Sequence, residues 1–230
     1  MREVPLGDDG RLRPILDYLG RELEPSILIG GWATFARVGG EFSRDIDFII
    51  GSEATRDKVR AIVGDLTESG HHQGVKWRGE VNGVHVDIYL PYQSQLGNLL
   101  RLRVEVLAEY AERLDGSGWQ LLTIEAHTIS KLAALLDRPD TEKGEKDAGE
   151  LLRLLRLGVD PRKACMILAT ATAAPLDVLP GYVERGFRLI AERSRANKAD
   201  RRMLDRLRRE WLDAIAEVID TAERGRPGLR

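Results

Sequence analysis

The segment Asp45-Ile46-Asp47-Phe48-Ile49-Ile50 constrains the fold more than any other stretch of this chain. Successive side chains of an extended strand point to opposite faces, so Asp45 and Asp47 share one face while Ile46, Phe48 and Ile50 share the other. One side of such a strand enters a core and the other carries two carboxylates. Buried or half-buried strand carboxylates are rare unless they are paired or bind a metal. The run 84–90 repeats the scheme, with Asp87 opposed to Val86 and Ile88. If the two strands are neighbours, three carboxylates converge on a small volume.

The surrounding sequence predicts an α+β unit followed by a helical one. Apolar residues recur at helical spacing over 11–19 (Leu12, Ile15, Leu16, Leu19) and over 54–66 (Val59, Ile62, Val63, Leu66). Residues 26–29 read as a short strand ending in Gly30-Gly31, and 32–38 as the helix that follows. The runs 74–81 and 84–90 flank Asn82-Gly83, the strongest short hairpin signal, and Pro91 ends the second run. Residues 119–123 suit one more strand, and 101–113 are ambiguous. Beyond Glu125 the pattern changes: 126–136, 143–157, 161–171, 178–193 and 198–223 all read as helices, punctuated by prolines. The expected architecture is a small mixed sheet with flanking helices over 1–125, then an α-helical domain over 126–230 that helps form a cleft.

Composition narrows the class. A chain of 230 residues, 43% hydrophobic and with a net charge of −2, is long and apolar enough to bury a core and is not intrinsically disordered. Cys165 is the only cysteine, which excludes a disulfide scaffold and points to a reducing compartment. Residues 1–9 hold no apolar stretch that could serve as a secretory signal core. No run approaches the roughly 18–20 apolar residues of a membrane helix. The expectation is a cytoplasmic protein with no membrane partner. Charge is unevenly spread: residues 193–209 carry eight Lys/Arg against Asp200 and Asp205, which leaves the rest of the chain at −8. Such a run reads either as a phosphate-binding surface or as a solvated helix face with its own ion pairs.

The chemistry follows from the acids. Three unpartnered carboxylates repel one another, and a divalent cation removes the repulsion. Oxygen-only ligation suits Mg²⁺ or Mn²⁺, which also bind substrate phosphates, and two such ions can stabilise the attacking and leaving oxygens of an in-line displacement. In that arrangement Asp45 and Asp47 bridge the metals, while Asp87 holds the catalytic one and helps deprotonate an attacking hydroxyl. Gly30-Gly31 fits the same site, because a strand ending in two glycines and opening a helix lets a phosphate approach the backbone N–H groups. Other candidates are weaker. His71-His72 has no second cluster at metal-ligand spacing. His85 suits an ordinary strand position, and Trp32 and Cys165 suit core positions. No P-loop or dinucleotide-binding glycine pattern is present.

This combination resembles the nucleotidyltransferase superfamily related to DNA polymerase β, whose members share a Gly-Gly or Gly-Ser turn, an Asp-x-Asp pair and a third Asp on a neighbouring strand. Within it, the chain resembles the AbiEii-type minimal nucleotidyltransferase toxins. That likeness rests on Gly30-Gly31-Trp32-Ala33, Asp45-Ile46-Asp47, the stretch Ser130-Lys131-Leu132-Ala133-Ala134-Leu135 with Arg138, and Lys146-Asp147. It covers roughly residues 25–150. The resemblance implies an ATP-type NTP substrate, Mg²⁺ as cofactor, and Lys131 on the triphosphate. Lys146 and Asp147 would line the nucleotide pocket or support Lys131. Gly30, Gly31, Thr34, Ser43 and Arg44 would complete nucleotide binding. Two departures stand out. Gly31 replaces a Ser common in relatives, leaving Thr34 as the nearest hydroxyl. Glu41 stands where many have Arg, leaving Arg44 as the substitute cation.

The resulting expectation is transfer of NMP from an NTP to an acceptor hydroxyl with release of pyrophosphate. The AbiEii likeness implies the toxin half of a toxin–antitoxin pair acting on tRNA, with a cognate antitoxin as partner and Arg201, Arg202, Arg206 and Arg209 as RNA contacts. Two alternatives stay open. One is a lincosamide- or aminoglycoside-type antibiotic nucleotidyltransferase, which Gly-Gly-Trp also resembles. The other is an inactive nucleotide-binding or interaction module.

Overall fold

A computed structural model describes residues 9–71 and 74–224. Residues 1–8, which hold most of the segment searched for a signal core, and His72 of the His pair lie outside them. The chain divides into two compact units, one formed by 1–94 and 108–122, the other by 95–107 and 123–230.

The first unit holds α1 (Asp9–Glu22), β1 (Ile27–Ile29), α2 (Gly30–Val38), β2 (Ile46–Ile49), α3 (Glu53–Ile62), β3 (Gly64–His71), β4 (Gly74–Val81) and most of β5 (Val84–Leu96). Its sheet has the order β3-β4-β5-β2-β1-β8-β7, where β7 is Ala111–Arg113 and β8 is Gln120–Leu122. The β2–β5 and β1–β8 pairs are parallel and the others antiparallel. This is the mixed sheet with flanking helices that the sequence predicts. Ile46 and Phe48 are fully buried, as their side of β2 requires, and join a core with Leu19, Trp32, Val86, Ile88 and Trp119. The Trp119 indole N–H donates to Leu16 O at 2.9 Å and ties the β8 approach to α1.

Local signals explain several elements. Ser52 caps α3, its Oγ accepting from the Thr55 N–H at 3.2 Å. Asn82 and Gly83 both have positive φ, 50° and 82°, as a two-residue hairpin turn of the primed type demands. Two expectations fail here. The helix read over 54–66 stops at Ile62, and the chain turns into β3 through Asp65 at φ 48°. Strand β5 does not end at Pro91 but runs on to Leu96. Its register against β4 shifts between Lys76↔Tyr89 and Gly74↔Ser94, and that irregularity is where a proline is tolerated inside a strand.

In the second unit, Gln95 and Leu96 pair with β6 (Leu102–Arg103), followed by α4 (Val104–Ala108). Helices α5 (Ile124–Asp137), α6 (Glu142–Leu155), α7 (Pro161–Ala171), α8 (Leu179–Arg193) and α9 (Lys198–Arg224) complete it. The ambiguous stretch 101–113 thus resolves into β6, α4 and β7. Caps set the helix starts: Thr141 accepts from Gly144 N at 3.0 Å, and Asp160 precedes Pro161 and accepts from Arg162 N at 2.9 Å. No helix among the described residues is long and apolar enough to cross a membrane.

Cys165 lies fully buried on α7, its thiol directed at Trp211 O, and burial pushes its pKa up to about 12. The native thiol is therefore expected to resist a disulfide reagent at pH 8 and to react at full rate in denaturant. Rapid native labelling would show that the helical unit opens readily.

Candidate active site

The site is built where β1 meets α2. Ile29, the last residue of β1, lies opposite Asp47 in the antiparallel pair with β2. The chain then turns at Gly30 with φ 67°, a conformation that favours glycine. A Cβ on Gly30 would sit 2.4 Å from Asp47 Oδ2, so the backbone and this carboxylate are in direct contact only because no side chain intervenes. Gly31 is buried, and a Cβ there would lie 2.7 Å from the Ser43 Cβ. The segment entering β2 thus packs onto the second glycine. The Ser43 Oγ accepts from the Asp45 N–H at 3.5 Å, which helps orient the residue just before β2. Helix α2 starts without a side-chain cap, so its first N–H groups meet no capping oxygen.

Thr34 departs from expectation. It is fully buried, and its hydroxyl donates back to Gly30 O at 3.0 Å within the first turn of α2. This back-bonding turns it into the helix instead of toward a ligand. Arg44 is exposed beside Asp45. Trp32 is core: it is 2% exposed and stacks with Phe42 at 5.6 Å.

The two acidic strands are neighbours. In the parallel β2–β5 pair, Asp47 is the register partner of Asp87. On the other side of β5, Arg78 of β4 is the antiparallel partner of Asp87. Directly opposed residues share a face. Arg78, Asp87, Asp47 and the glycine turn therefore form one row across β4, β5, β2 and the end of β1, with Asp45 two residues from Asp47.

The cations in this row are absent from the sequence reading. Lys76 Nζ donates to Asp87 Oδ2 at 2.7 Å, and Arg78 Nε donates to Asp87 Oδ1 at 3.0 Å. Lys76 is 14% exposed, Asp87 21% and Arg78 53%, so the pair is shielded at the lysine and open at the arginine. Lys76 Nζ also lies 5.3 Å from the Tyr89 ring centroid. Both cations were legible. Counting outward from the Asn82-Gly83 turn places Arg78 opposite Asp87 and Lys76 opposite Tyr89, which is the register found.

These contacts bear on metal binding. Three carboxylates with two cations sum to −1, so Lys76 and Arg78 relieve much of the repulsion that sequence reasoning assigns to a metal. Among the described residues no group of three His, Cys, Asp or Glu side chains is disposed to hold an ion. Asp45 and Asp47 fit the two-carboxylate share that Mg²⁺ takes when water and substrate phosphates fill its other positions. Asp87, expected as a third ligand, has each oxygen engaged by a cation instead.

A second charged cluster lies within the helical unit. Lys131 on α5 is 6% exposed and faces α6. Its Nζ contacts Asp147 Oδ1 at 2.9 Å and also Glu150 Oε2, while Arg138 Nε donates to Asp147 Oδ2 at 2.8 Å. Asp147 and Glu150 are buried at 2% and 1%. Two cations and two carboxylates make the cluster neutral. Burial disfavours the charged ammonium, but the Asp147 and Glu150 charges outweigh it and hold the Lys131 pKa above its ordinary value. Asp147, which the resemblance implies lines the nucleotide pocket or supports Lys131, lies in contact with the Lys131 ammonium. The ammonium expected on a triphosphate is itself committed to two carboxylates. Lys146, one residue earlier, is half-buried. Glu150 went unnoticed in sequence, although its spacing from Asp147, three residues along a helix, puts the two on one face.

On α9, Arg201, Arg202, Arg206 and Arg209 are exposed. The run is partly balanced by neighbouring acids, Arg206 pairing with Glu210 at 3.6 Å and Arg208 with Glu184 at 2.7 Å, whereas its own Asp200 is taken up by Arg156 from outside the run.

No family model matches the sequence, and no curated protein matches it. Among solved structures, the antibiotic-resistance factor ANT(2″)-Ia is 19% identical over 71% of this chain and 92% of its own, with a TM-score of 0.48. An antigenic nucleotidyltransferase-like protein from Paracoccidioides brasiliensis is 16% identical over 82% and 95%, at 0.46. The Thermotoga maritima CCA-adding enzyme, solved with tRNA, is 11% identical over 94% and 73%, at 0.34. At these values the likeness is one of outline.

Proposed function

We propose that this chain is a nucleotidyltransferase that moves NMP from an NTP to an acceptor hydroxyl. The observation that carries the reading is the shared row: the Gly30 turn in contact with Asp47, and Asp47 in register with Asp87. Gly30 and Gly31 would admit phosphate to the start of α2. Asp45 and Asp47 would hold Mg²⁺ or Mn²⁺, whose charge neutralises the phosphate oxygens when bound. The acceptor oxygen forms a bond to the α-phosphorus, the bond to the bridging oxygen breaks, and pyrophosphate leaves. The hydroxyl proton passes to a carboxylate of the row. Positioning and charge neutralisation supply most of the rate in such reactions.

For the acceptor, the exposed arginines of α9 favour RNA, with tRNA as the first substrate to test. On that reading, and following the AbiEii resemblance, the chain would be the toxin half of a toxin–antitoxin pair working in the cytoplasm. The experiment is radiolabel transfer from each NTP, with Mg²⁺, onto total tRNA and onto lincosamide and aminoglycoside drugs. Charge reversal at Arg201, Arg202 and Arg206 is expected to reduce RNA labelling at least tenfold, and labelling by the unaltered protein should fall steeply with salt. Transfer to a drug that ignores this reversal would move the assignment to the antibiotic enzymes. Nucleotide binding without transfer to any acceptor would leave an inactive module.

A further inference from the structure

We propose that Lys76 and Arg78 of β4 are the phosphate-binding cations of this site, and that Asp87 occupies them as an internal anion until a nucleotide displaces it. The inference rests on the nucleotidyltransferase reading and identifies residues that the sequence motifs do not.

The chain needs such cations. Gly31 supplies no hydroxyl, Thr34 is turned into α2, and Glu41 is an acid. A bound triphosphate brings about four negative charges, and Asp45, Asp47 and Asp87 already carry three. The strand that presents cations to the row is β4, where Arg78 is the register partner of Asp87 and Lys76, two residues on, that of Tyr89. Both side chains point the same way along it, two residues apart, and their contacts to Asp87 are charge-assisted hydrogen bonds at 2.7 Å and 3.0 Å. A carboxylate gripped by one lysine and one arginine copies the contacts that a phosphate would make. Arg presents further N–H donors for such an anion, and at 53% exposure Arg78 is free to swing outward. Lys76 is shielded and keeps its place over the Tyr89 ring, so it would act as the fixed member of the pair. Each cation moved onto phosphate unloads Asp87, leaving that carboxylate to act on the acceptor hydroxyl. Nucleotide arrival and activation of the base are thereby coupled through one exchange of partners.

The test reads binding instead of turnover. Trinitrophenyl-ATP is titrated, by fluorescence, into the full chain with Mg²⁺ and with EDTA, for the unaltered protein and for Lys76→Ala, Arg78→Gln and Asp87→Asn. Thermal melts establish that each variant is folded. Asp87→Asn removes the competing anion and is expected to tighten binding in EDTA about tenfold, whereas Lys76→Ala and Arg78→Gln weaken it by a similar factor. Arg78→Gln alters a half-exposed side chain and keeps the test informative should Asp87→Asn fail to fold. Binding in EDTA that Asp87→Asn leaves unchanged or weakens, or that Arg78→Gln leaves unchanged, overturns the inference, while Mg²⁺-dependent binding still upholds a nucleotide site, whose activity the transfer assay reads. Absence of binding by every protein with Mg²⁺ overturns both.

Discussion

Asp47→Asn is expected to abolish nucleotidyl transfer, lowering the rate by about a thousandfold, while leaving the melting temperature within a degree or two. Asparagine keeps the size of the side chain and removes its charge. The position lies against the Gly30 turn and in register with Asp87, so it links the glycine turn to the neighbouring acidic strand. Removal of a single preorganised charge-stabilising group in such sites costs about 10²–10³ in rate. Gly30→Ala should give a comparable loss by another route. Its methyl group would collide with Asp47 Oδ2 and would also be held at φ 67°. Pyrophosphate release with Mg²⁺ measures both. An Asp47→Asn protein that transfers NMP at a tenth of the normal rate or better would remove this carboxylate from the chemistry.

The largest effect on stability is expected from Lys131→Met. Methionine fills similar space but leaves Asp147 and Glu150 buried without their shared cation. Breaking a buried ion pair by removing one partner costs about 3–5 kcal/mol. For a chain of this size that corresponds to a fall of roughly 10 °C in melting temperature. Adding Glu150→Gln to Lys131→Met should recover part of the loss, because it removes one stranded charge. The pH dependence has a definite direction. The Lys131 pKa is raised in the folded state, so its contribution is complete below the unfolded lysine value of about 10.4 and fades as pH climbs through the higher folded value. The gap in melting temperature between the unaltered protein and the variant should therefore stay constant between pH 7 and 10 and narrow only at higher pH, where Lys131 loses its proton. A melt unchanged by Lys131→Met would show that the ammonium contributes nothing to holding α5 against α6.

Much of the site could be read before the fold was seen. The alternation in 45–50 places Asp45 and Asp47 opposite Ile46 and Phe48, and a side chain's face follows from the two-residue period alone. The Asn82-Gly83 turn sets the β4–β5 register and so the Arg78 and Lys76 contacts, although the sequence reading did not count outward from it. The Asp47–Asp87 pairing is different in kind. The two residues are far apart in sequence, and only the sheet order β5-β2-β1 brings them together. Local chemistry does not specify which parallel neighbour a strand takes. Strand β3 was hidden for another reason. It lies at one edge of the sheet with polar residues such as Thr67 and Glu68, so it lacks the alternation that marks a half-buried strand, and Val63 extended the preceding helical pattern past its true end. The Lys131 cluster was half legible: a resemblance pointed to Lys131 and Asp147, but a charged residue inside a helix gives no sign of its own depth.

The interleaved path of the first unit has a consequence for how the chain is made. Strand β8, which flanks β1 on the side away from β2, comes from a return segment at 108–122. As the protein leaves the ribosome, Ile27, Leu28 and Ile29 wait with one edge uncovered, and Phe48 waits for Trp119, until that return has emerged. A nascent or truncated chain ending near Ser94 would display an apolar strand edge that recruits other copies. Dissection of this protein should therefore excise 95–107 and join its flanks, instead of cutting after the last of the three acids.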